Sequence, residues 1–278
     1  MAAVRLDDWL GRSETTTEFL SLSHLNKVSA TLNEPVLGAG DALPHLWQWC
    51  FFQPALPGPE LGRDGHPALG GFLPPADNRN RMWAGGRVKF IQPLRANQEA
   101  QRTSTITAIS EKEGRTGKLL FVTVTHTYSQ NGEVCVKEEQ DIVYREPSAP
   151  KTVSEAGMDQ PGWSELHDPD TTKLFRYSAV TFNGHRIHYD FPYATEVEGY
   201  GGLVTHGPLI ATLNLRAFVR ANPEAKVEEF AYRGVRPIIC GNAFHVAGRI
   251  TESGVAQLEA GNASGVAQIA TVRFAVEE

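Results

Sequence analysis

The chain has 278 residues, 41% of them hydrophobic and 21% charged, a composition typical of a globular protein. Its formal net charge of −6 argues against a general affinity for nucleic acid or anionic lipid. The cysteines Cys50, Cys135 and Cys240 are too few for a disulfide framework and do not have zinc-site spacing. Residues 1–10 lack the apolar segment of a signal peptide, and no apolar stretch is long enough to span a membrane. We therefore expect a cytoplasmic protein with no nucleic-acid or membrane partner, no metal and no cofactor.

Two helices and an irregular segment are predicted at the start of the chain. Leu22, Leu25 and Val28 recur at helical spacing, which predicts an amphipathic packing helix over residues 17–32. Asp41 is placed to cap a second helix over residues 42–52. Residues 54–78 are rich in proline and glycine, so they either cover a ligand pocket or form an irregular surface loop.

Strands follow in the rest of the first half. Val122, Val124 and Tyr128 alternate with threonines up to Asn131-Gly132, which is a hairpin turn sequence. The residues beyond that turn continue the strand pattern to about position 143.

A change of composition between residues 145 and 172 predicts a linker, because four prolines lie there among polar residues. We accordingly predict a first half at residues 1–148, a linker at 149–171 and a second half at 172–278.

The second half has a polar loop over residues 183–190, then a helix that starts at His206-Gly207-Pro208 and stops at Asn222-Pro223. This helix is apolar nearly all round, which indicates that it is buried. Strand-like stretches then cover residues 227–236, 243–251, 255–259 and 265–276. Since both halves have a buried helix followed by a run of strands, we predict an α+β fold in which a curved sheet wraps a helix and the unit is duplicated. The alternative is an α+β domain without duplication.

One set of spacings resembles a known family. Asn183, His185 and His188 lie at offsets of zero, two and five, and Tyr193-Ala194 and His206-Gly207 follow. The pattern resembles the MaoC-like dehydratases and hydratases, and residues 78–87 look like those of the mesaconyl-CoA and itaconyl-CoA hydratase branch. This resemblance implies a double hot-dog fold, an acyl-CoA substrate and a homo-oligomer.

The sequence departs from that family at position 183, where the usual catalytic aspartate is replaced by Asn183, whose amide cannot act as a base. Either Asn183 orients water or substrate while His188 moves the proton, or His185 or Asp190 takes the acidic role. We favour His188 as the principal acid and base.

The chemistry leads to the same residues. Adding water across a C=C bond conjugated to a thioester requires a base, and histidine titrates near neutrality. The reaction also requires a donor for the enolate oxygen, and the free N–H of Gly207 at a helix start suits that task.

These residues have alternative interpretations. His188 could be a core histidine, His206 could cap or pack, and the pattern His185-x-x-His188-x-Asp190 is also that of a metal site. Candidate substrate-binding residues are Arg81, Arg87, Arg186, His206 and Arg233, although unplaced arginines are often surface charges.

The leading functional hypothesis is hydration of a C5 dicarboxylic enoyl-CoA, of the itaconyl-CoA or mesaconyl-CoA kind, to a citramalyl-type thioester. The alternatives are a 3-hydroxyacyl-thioester dehydratase of fatty-acyl metabolism, a hot-dog thioesterase, and an acyl-CoA-binding protein with a degenerate site.

Overall fold

The structure is a computed structural model, and it describes residues 5–76, 79–114 and 117–276. Within these ranges one antiparallel sheet of ten strands holds most of the chain. The strands are β1 Ser13–Phe19, β2 Asn80–Phe90, β3 Glu99–Gly114, β4 Gly117–Gln130, β5 Glu133–Arg145, β6 Trp163–His167, β7 Ala225–Gly234, β8 Phe244–Glu252, β9 Val255–Asn262 and β10 Gly265–Val276. The α-helices are α1 Leu22–Leu32, α2 Thr171–Val180 and α3 Gly207–Ala221.

The strand order shows the predicted duplication. Across the sheet it runs β1-β3-β4-β5-β2-β7-β10-β9-β8-β6, so the second five strands repeat the first five in mirrored order. The two halves join where β2 pairs antiparallel with β7, with Gly85 opposite Arg233 and Val88 opposite Phe230. The fold is α+β and duplicated, as predicted.

Helix α3 is the central helix of the second half. It begins at Gly207 with Pro208 in its first turn and ends before Asn222. Most of its side chains are buried on all sides, including Leu213 and Phe218, and it contacts each of the strands β6 to β10. A helix that is apolar nearly all round therefore lies inside the half that wraps it.

The helix predicted over residues 42–52 is wrong. Only a single 3-10 turn, Trp47–Cys50, forms there, and it is bounded by Leu46 (φ 70°) and Phe52 (φ 63°) in the left-handed region. Trp47, Phe51 and Phe52 are each at most 2% exposed. Left-handed φ values at two non-glycine residues are incompatible with a continuous α-helix, and all of residues 46–52 are buried, so tertiary packing overrides the local helical pattern here.

The helix predicted over residues 17–32 is correct only from Leu22 onward. Ser21 caps α1 by accepting a hydrogen bond from the His24 N–H. Residues 17–19 belong instead to β1, which pairs with β3. The threonine run that precedes them favours a strand because β-branched side chains pack well on a pleated surface.

The predicted linker contains the short strand β6, which pairs with β8 at the outer edge of the second half. Prolines on both sides of it obscured this strand in the sequence. The domain boundaries at residues 148 and 172 stay a prediction. The predicted hairpin turn is confirmed, since Asn131 (φ 51°) and Gly132 (φ 82°) both have positive φ between β4 and β5.

Candidate active site

Four histidines form a continuous row on the side of the second half where α3 begins. The rings of His188 and His206 stack with centroids 3.6 Å apart and planes 19° apart. His185 lies 5.4 Å from His188, and His66 lies 4.6 Å from His185. His185 and His188 come from the loop after α2, His206 immediately precedes α3, and His66 comes from the first half. The fold thus collects imidazoles from three separate segments.

His188 is arranged as a neutral base. It is 6% exposed, and its Nδ1 donates a hydrogen bond to the Val204 carbonyl oxygen at 2.7 Å. This bond places the ring proton on Nδ1 and leaves Nε2 with a lone pair. Burial lowers the pKa of His188 to about 4, against the Val204 hydrogen bond, which raises it. At neutral pH the ring is therefore uncharged and able to accept a proton.

His206 packs rather than caps. Its side chain makes no capping hydrogen bond to α3, and the ring is fully buried between Tyr177 and His188. Its Nε2 lies 2.8 Å from the Ser178 hydroxyl oxygen. Burial, and then the neighbouring imidazoles, hold its pKa well below the ordinary value. His206 therefore packs as a buried, uncharged ring between His188 and the start of α3.

The start of α3 presents a free donor. In the part of the chain that the structure describes, the Gly207 N–H donates no hydrogen bond, while the Gly207 carbonyl accepts one from the Gln268 amide at 3.2 Å. Trp83 of β2 covers this glycine closely, because a Cβ built on Gly207 would lie 2.8 Å from the Trp83 ring. Glycine is the residue that fits here without a shift of the Trp83 ring, and its N–H lies at a helix start, where backbone donors favour an anion.

Asn183 shapes the histidine loop. Its side-chain oxygen accepts the backbone N–H of His185 at 3.0 Å, which shapes the turn of the histidine loop. The structure records no hydrogen bond from Asn183 to His188 among the described residues. This contact supports a conformational role for Asn183 and does not support the predicted partnership with His188.

Asp190 does not fit the acidic role considered for it. Its carboxylate accepts two hydrogen bonds from Arg186, at 2.9 and 2.7 Å, and one from the Tyr193 N–H. The Arg186 guanidinium is the main reason that the pKa of Asp190 is lowered. A carboxylate held ionised by an adjacent arginine is a poor proton donor, so Asp190 anchors the loop instead.

The four predicted arginines are separated by the fold. Arg186 is engaged by Asp190, lies over the Tyr193 ring at 4.2 Å and donates to the Arg63 carbonyl. Arg87 is exposed and pairs with Glu139 and Asp141, and Arg233 is exposed on β7. These contacts do not bring Arg87 or Arg233 to the histidine row.

Arg81 differs from the other three in its electrostatic effect on the row. Burial is the main reason that the pKa of His66 and of His185 is lowered, and the positive charge of Arg81 contributes to both shifts. Within residues 5–76, 79–114 and 117–276 Arg81 forms no ion pair and no side-chain hydrogen bond. The same segment begins with Asn78, which lies outside the described residues.

The proline- and glycine-rich segment of the first half lies over the histidine loop. A Cβ built on Gly65, whose φ is +88°, would come within 2.0 Å of the Gly184 carbonyl oxygen. The Arg186 N–H donates to the Asp64 carbonyl at 2.8 Å. The part of the segment around Asp64 and Gly65 therefore contacts the histidine loop, while most of its other described residues lie at the surface.

Asp64 and His66 are the site residues that sequence reasoning missed. One donor atom each from Asp64, His66 and His185 lies within 4.8 Å of the others. More than 100 positions of chain separate the first two residues from His185, and nothing periodic marks them. The only available signal was a histidine and a carboxylate close together in an otherwise irregular loop.

The same three residues are of types that hold a metal ion. The group offers three ligand atoms, fewer than the four of a tetrahedral structural zinc site. Burial is the main reason that the pKa of His66 and of His185 is lowered, and the positive charge of Arg81 adds to it and opposes a cation. The Arg81 charge therefore favours a carboxylate and imidazole group without a metal ion.

An open cavity of about 380 Å³ reaches the site from the α2 side. It is lined by Thr171, Thr172, Phe175, His188, Tyr189 and Leu203. His188 thus has a path to bulk water in spite of its burial. No helix in the described ranges is long and apolar enough to cross a bilayer.

Comparison with known families agrees with this geometry. The model of hydroxyacyl-thioester dehydratase type 2 matches residues 46–240, which is well over half of the chain and includes the whole histidine row. The chain belongs to the hydroxyacyl-thioester dehydratase type 2 family. It is accordingly a hydro-lyase of the hydratase and dehydratase kind that acts on acyl thioesters.

Among its relatives, a mesaconyl-C(4)-CoA hydratase of Chloroflexus aurantiacus is 45% identical over 240 residues, covering 83% of this chain and 84% of the relative. The solved structure of HtdX from Mycobacterium tuberculosis covers 95% of this chain and 100% of its own, with a TM-score of 0.71 and 16% identity. A second protein of that organism, described as a double hot-dog fold, covers 97% of this chain and 98% of its own, with a TM-score of 0.55 and 13% identity. These two structures support the fold alone, and the predicted double hot-dog is confirmed.

Proposed function

We propose that this dehydratase type 2 family member hydrates a C5 dicarboxylic enoyl-CoA of the mesaconyl-C4-CoA or itaconyl-CoA kind to a citramalyl-type thioester. The observation that carries the chemistry is the stack of His188 on His206 at the start of α3, where a neutral imidazole and a free backbone N–H belong to one wall. The relative at 45% identity supports the choice of substrate. The predicted cytoplasmic location, homo-oligomer and role in itaconate degradation remain predictions.

The proposed reaction uses the His188 imidazole and the Gly207 N–H. The Nε2 of His188 takes a proton from water, and the water oxygen bonds to the β-carbon of the enoyl group. The electron pair of the C=C bond moves to the thioester carbonyl oxygen, and the enolate is stabilised by the Gly207 N–H. The imidazolium returns its proton to the α-carbon, which restores the carbonyl and the neutral histidine. A donor of this kind is worth about 3–4 kcal/mol of the barrier.

Arg81 supplies the selectivity for a second carboxylate. It is the one predicted arginine near the histidines that lacks an ion pair within the described part of the chain. A guanidinium binds a carboxylate through two parallel hydrogen bonds, so an unengaged arginine in the site favours an acyl chain that ends in a carboxylate. A fatty-acyl substrate would gain nothing from that charge.

The test is a substrate panel with purified protein and its His188→Ala variant. We expect the wild type to consume mesaconyl-C4-CoA or itaconyl-CoA faster than crotonyl-CoA or longer 2-enoyl-CoAs, followed by loss of the conjugated chromophore. We expect His188→Ala to lower kcat by about 10²- to 10⁴-fold while its thermal unfolding stays close to that of the wild type, because the base is lost and the fold is not.

Two outcomes would contradict the proposal. Near-normal turnover by His188→Ala would remove His188 as the base. A preference for long 2-enoyl-CoAs would favour the dehydratase of fatty-acyl metabolism, the alternative that the family description suggests, and release of free thiol in place of hydration would favour the thioesterase.

A further inference from the structure

The site lacks an anion where the resemblance expects one. Position 183 is an amide that holds the backbone of His185, and Asp190 is neutralised by Arg186. When His188 takes a proton it becomes a buried cation stacked on a second imidazole, and a buried cation without a counter-charge is costly. Some carboxylate near the row is therefore needed to balance the charge.

Asp64 is the carboxylate that the structure brings to the row. One of its oxygens lies within 4.8 Å of ring nitrogens of both His66 and His185. Glu198, a further acidic group of this region, is buried and accepts a hydrogen bond from the Tyr193 hydroxyl at 2.9 Å. Among the residues described, no other carboxylate joins a histidine of the row in such a group.

The loop that carries Asp64 is fixed in place. The backbones at Gly65 and Gly184 approach so closely that neither position admits a side chain. Asp64 also accepts its own loop's His66 N–H at 3.1 Å, which turns the His66 ring toward His185. The carboxylate and the ring are thus presented as a unit by the first half to the histidine loop of the second half.

We propose that Asp64 and His66, supplied by the first half, replace the acidic residue missing at position 183 and position His185 and His188 for proton transfer. The site is then composite: the second half contributes His185, His188 and Gly207, and the first half contributes the negative charge. This inference rests on the proposed hydration and assigns Asp64 and His66 as positioning residues, since they act through His185.

The experiment compares Asp64→Asn and His66→Gln with the wild type on whichever enoyl-CoA of the panel the wild type hydrates fastest. We expect each change to lower kcat about 10- to 100-fold with KM changed less than about threefold, since charge balance in the transition state is lost and binding is not. We also expect the solvent deuterium isotope effect on kcat to increase, because proton transfer becomes more rate-limiting. Asp64→Glu should restore part of the rate.

Matched controls come from the same chain. Glu60→Gln changes an exposed carboxylate in the same segment, and His245→Gln changes an exposed histidine on β8. Both should keep wild-type kcat, and thermal unfolding of Asp64→Asn should match that of Glu60→Gln within a few degrees.

The outcomes separate this inference from the proposed function. Wild-type protein that hydrates no member of the panel would remove the proposed function itself. Hydration by the wild type together with full kcat and an unchanged isotope effect in Asp64→Asn would overturn the inference alone. Stoichiometric zinc in the purified protein, with activity lost to a chelator and restored by zinc, would overturn it in favour of a metal site at Asp64, His66 and His185.

Discussion

Asn183 and Asp64 contribute different properties to the candidate site: Asn183 contributes a hydrogen bond that shapes a loop, and Asp64 contributes a negative charge. Asn183 keeps the hydrogen-bonding shape that the histidine loop requires, because its oxygen accepts the His185 N–H as a carboxylate oxygen would. It cannot supply charge. The charge is available across the site from Asp64, so shape and electrostatics come from different parts of the chain.

Arg81 is the residue for which substrate selectivity can be tested directly. We expect Arg81→Gln to lower kcat/KM for mesaconyl-C4-CoA or itaconyl-CoA about 10- to 100-fold, since a charged hydrogen-bonded pair is worth about 1.5–3 kcal/mol. Crotonyl-CoA, which has no second carboxylate, should change less than about threefold. The measurement is the ratio of the two specificity constants.

The control for this ratio is Arg273→Gln, which removes an exposed arginine on β10. Its two specificity constants should equal those of the wild type. An equal loss on both substrates in Arg81→Gln would show that Arg81 acts on the common thioester or on the histidines rather than on the second carboxylate.

At the scale of elements, the contact between β2 and α3 sets the position of Gly207, the proposed oxyanion donor. Trp83 is stacked on Tyr232, with centroids 4.4 Å apart, and meets the edge of Trp49 at 5.5 Å. The ring therefore cannot move aside easily, and it seats α3 at Gly207. A strand of the first half thus determines where the helix of the second half begins.

We predict that Gly207→Ala lowers kcat by about 10²-fold or more, because the added Cβ would lie 2.8 Å from the fixed Trp83 ring and shift the N–H away from the oxyanion. Strain of this kind costs about 1–3 kcal/mol of stability, so the variant should still fold. Steady-state kinetics and chemical unfolding measure the two effects separately.

Gly201→Ala is the matched control, because a Cβ at Gly201 would meet nothing within 4 Å and the residue lies in the same connection before α3. It should retain wild-type kcat and stability. If Gly207→Ala also retains wild-type kcat, the donor role of the Gly207 N–H is wrong.

At the scale of the whole molecule, the fold buries several uncharged histidines. Their burial affects the free energy of unfolding as well as the chemistry. Burial lowers the pKa of His188 to about 4 and that of His126, in the first half, to about 3, both below the ordinary 6.5. Unfolding exposes such rings to water, where they take up protons once the pH is below about 6.5. Their contribution to stability is therefore complete above 6.5 and is lost as the pH falls toward the folded-state values.

We predict that the free energy of unfolding is nearly constant from pH 8 to 6.5 and then falls by about 1.4 kcal/mol per pH unit for each such histidine. The buried Glu138 offsets part of this loss, since burial raises its pKa and its protonation favours the folded state as the pH falls. Denaturant unfolding at pH 7.5, 6.5 and 5.5 measures the slope.

His126→Gln should make the slope below pH 6.5 shallower, whereas His245→Gln, at an exposed position, should leave it unchanged. Stability that is flat or rises between pH 6.5 and 5.5 in the wild type would contradict the prediction.

Local patterns in the sequence were enough to predict the elements in which buried and exposed positions follow a regular period. The alternating strands, the Asn131-Gly132 turn and the all-round apolar helix α3 follow from periodicities that each residue's immediate neighbours impose. The spacing of His185, His188 and His206-Gly207 likewise indicated which second-half residues come together, because they lie within one stretch of about 20 positions.

Only the tertiary structure decided the features that depend on contacts made after folding. The 3-10 turn at Trp47–Cys50 depends on the core that buries it, and the arrival of Asp64 and His66 at His185 depends on which surfaces meet after folding. The Arg186–Asp190 ion pair joins residues four positions apart, but the conformation of the folded loop decides that it forms. Contacts between residues more than 100 positions apart leave no periodic trace in a sequence. The histidine loop, the start of α3 and their spacing were thus determined by local sequence, while the position of Asp64 beside His185 was determined by the packing of one half on the other.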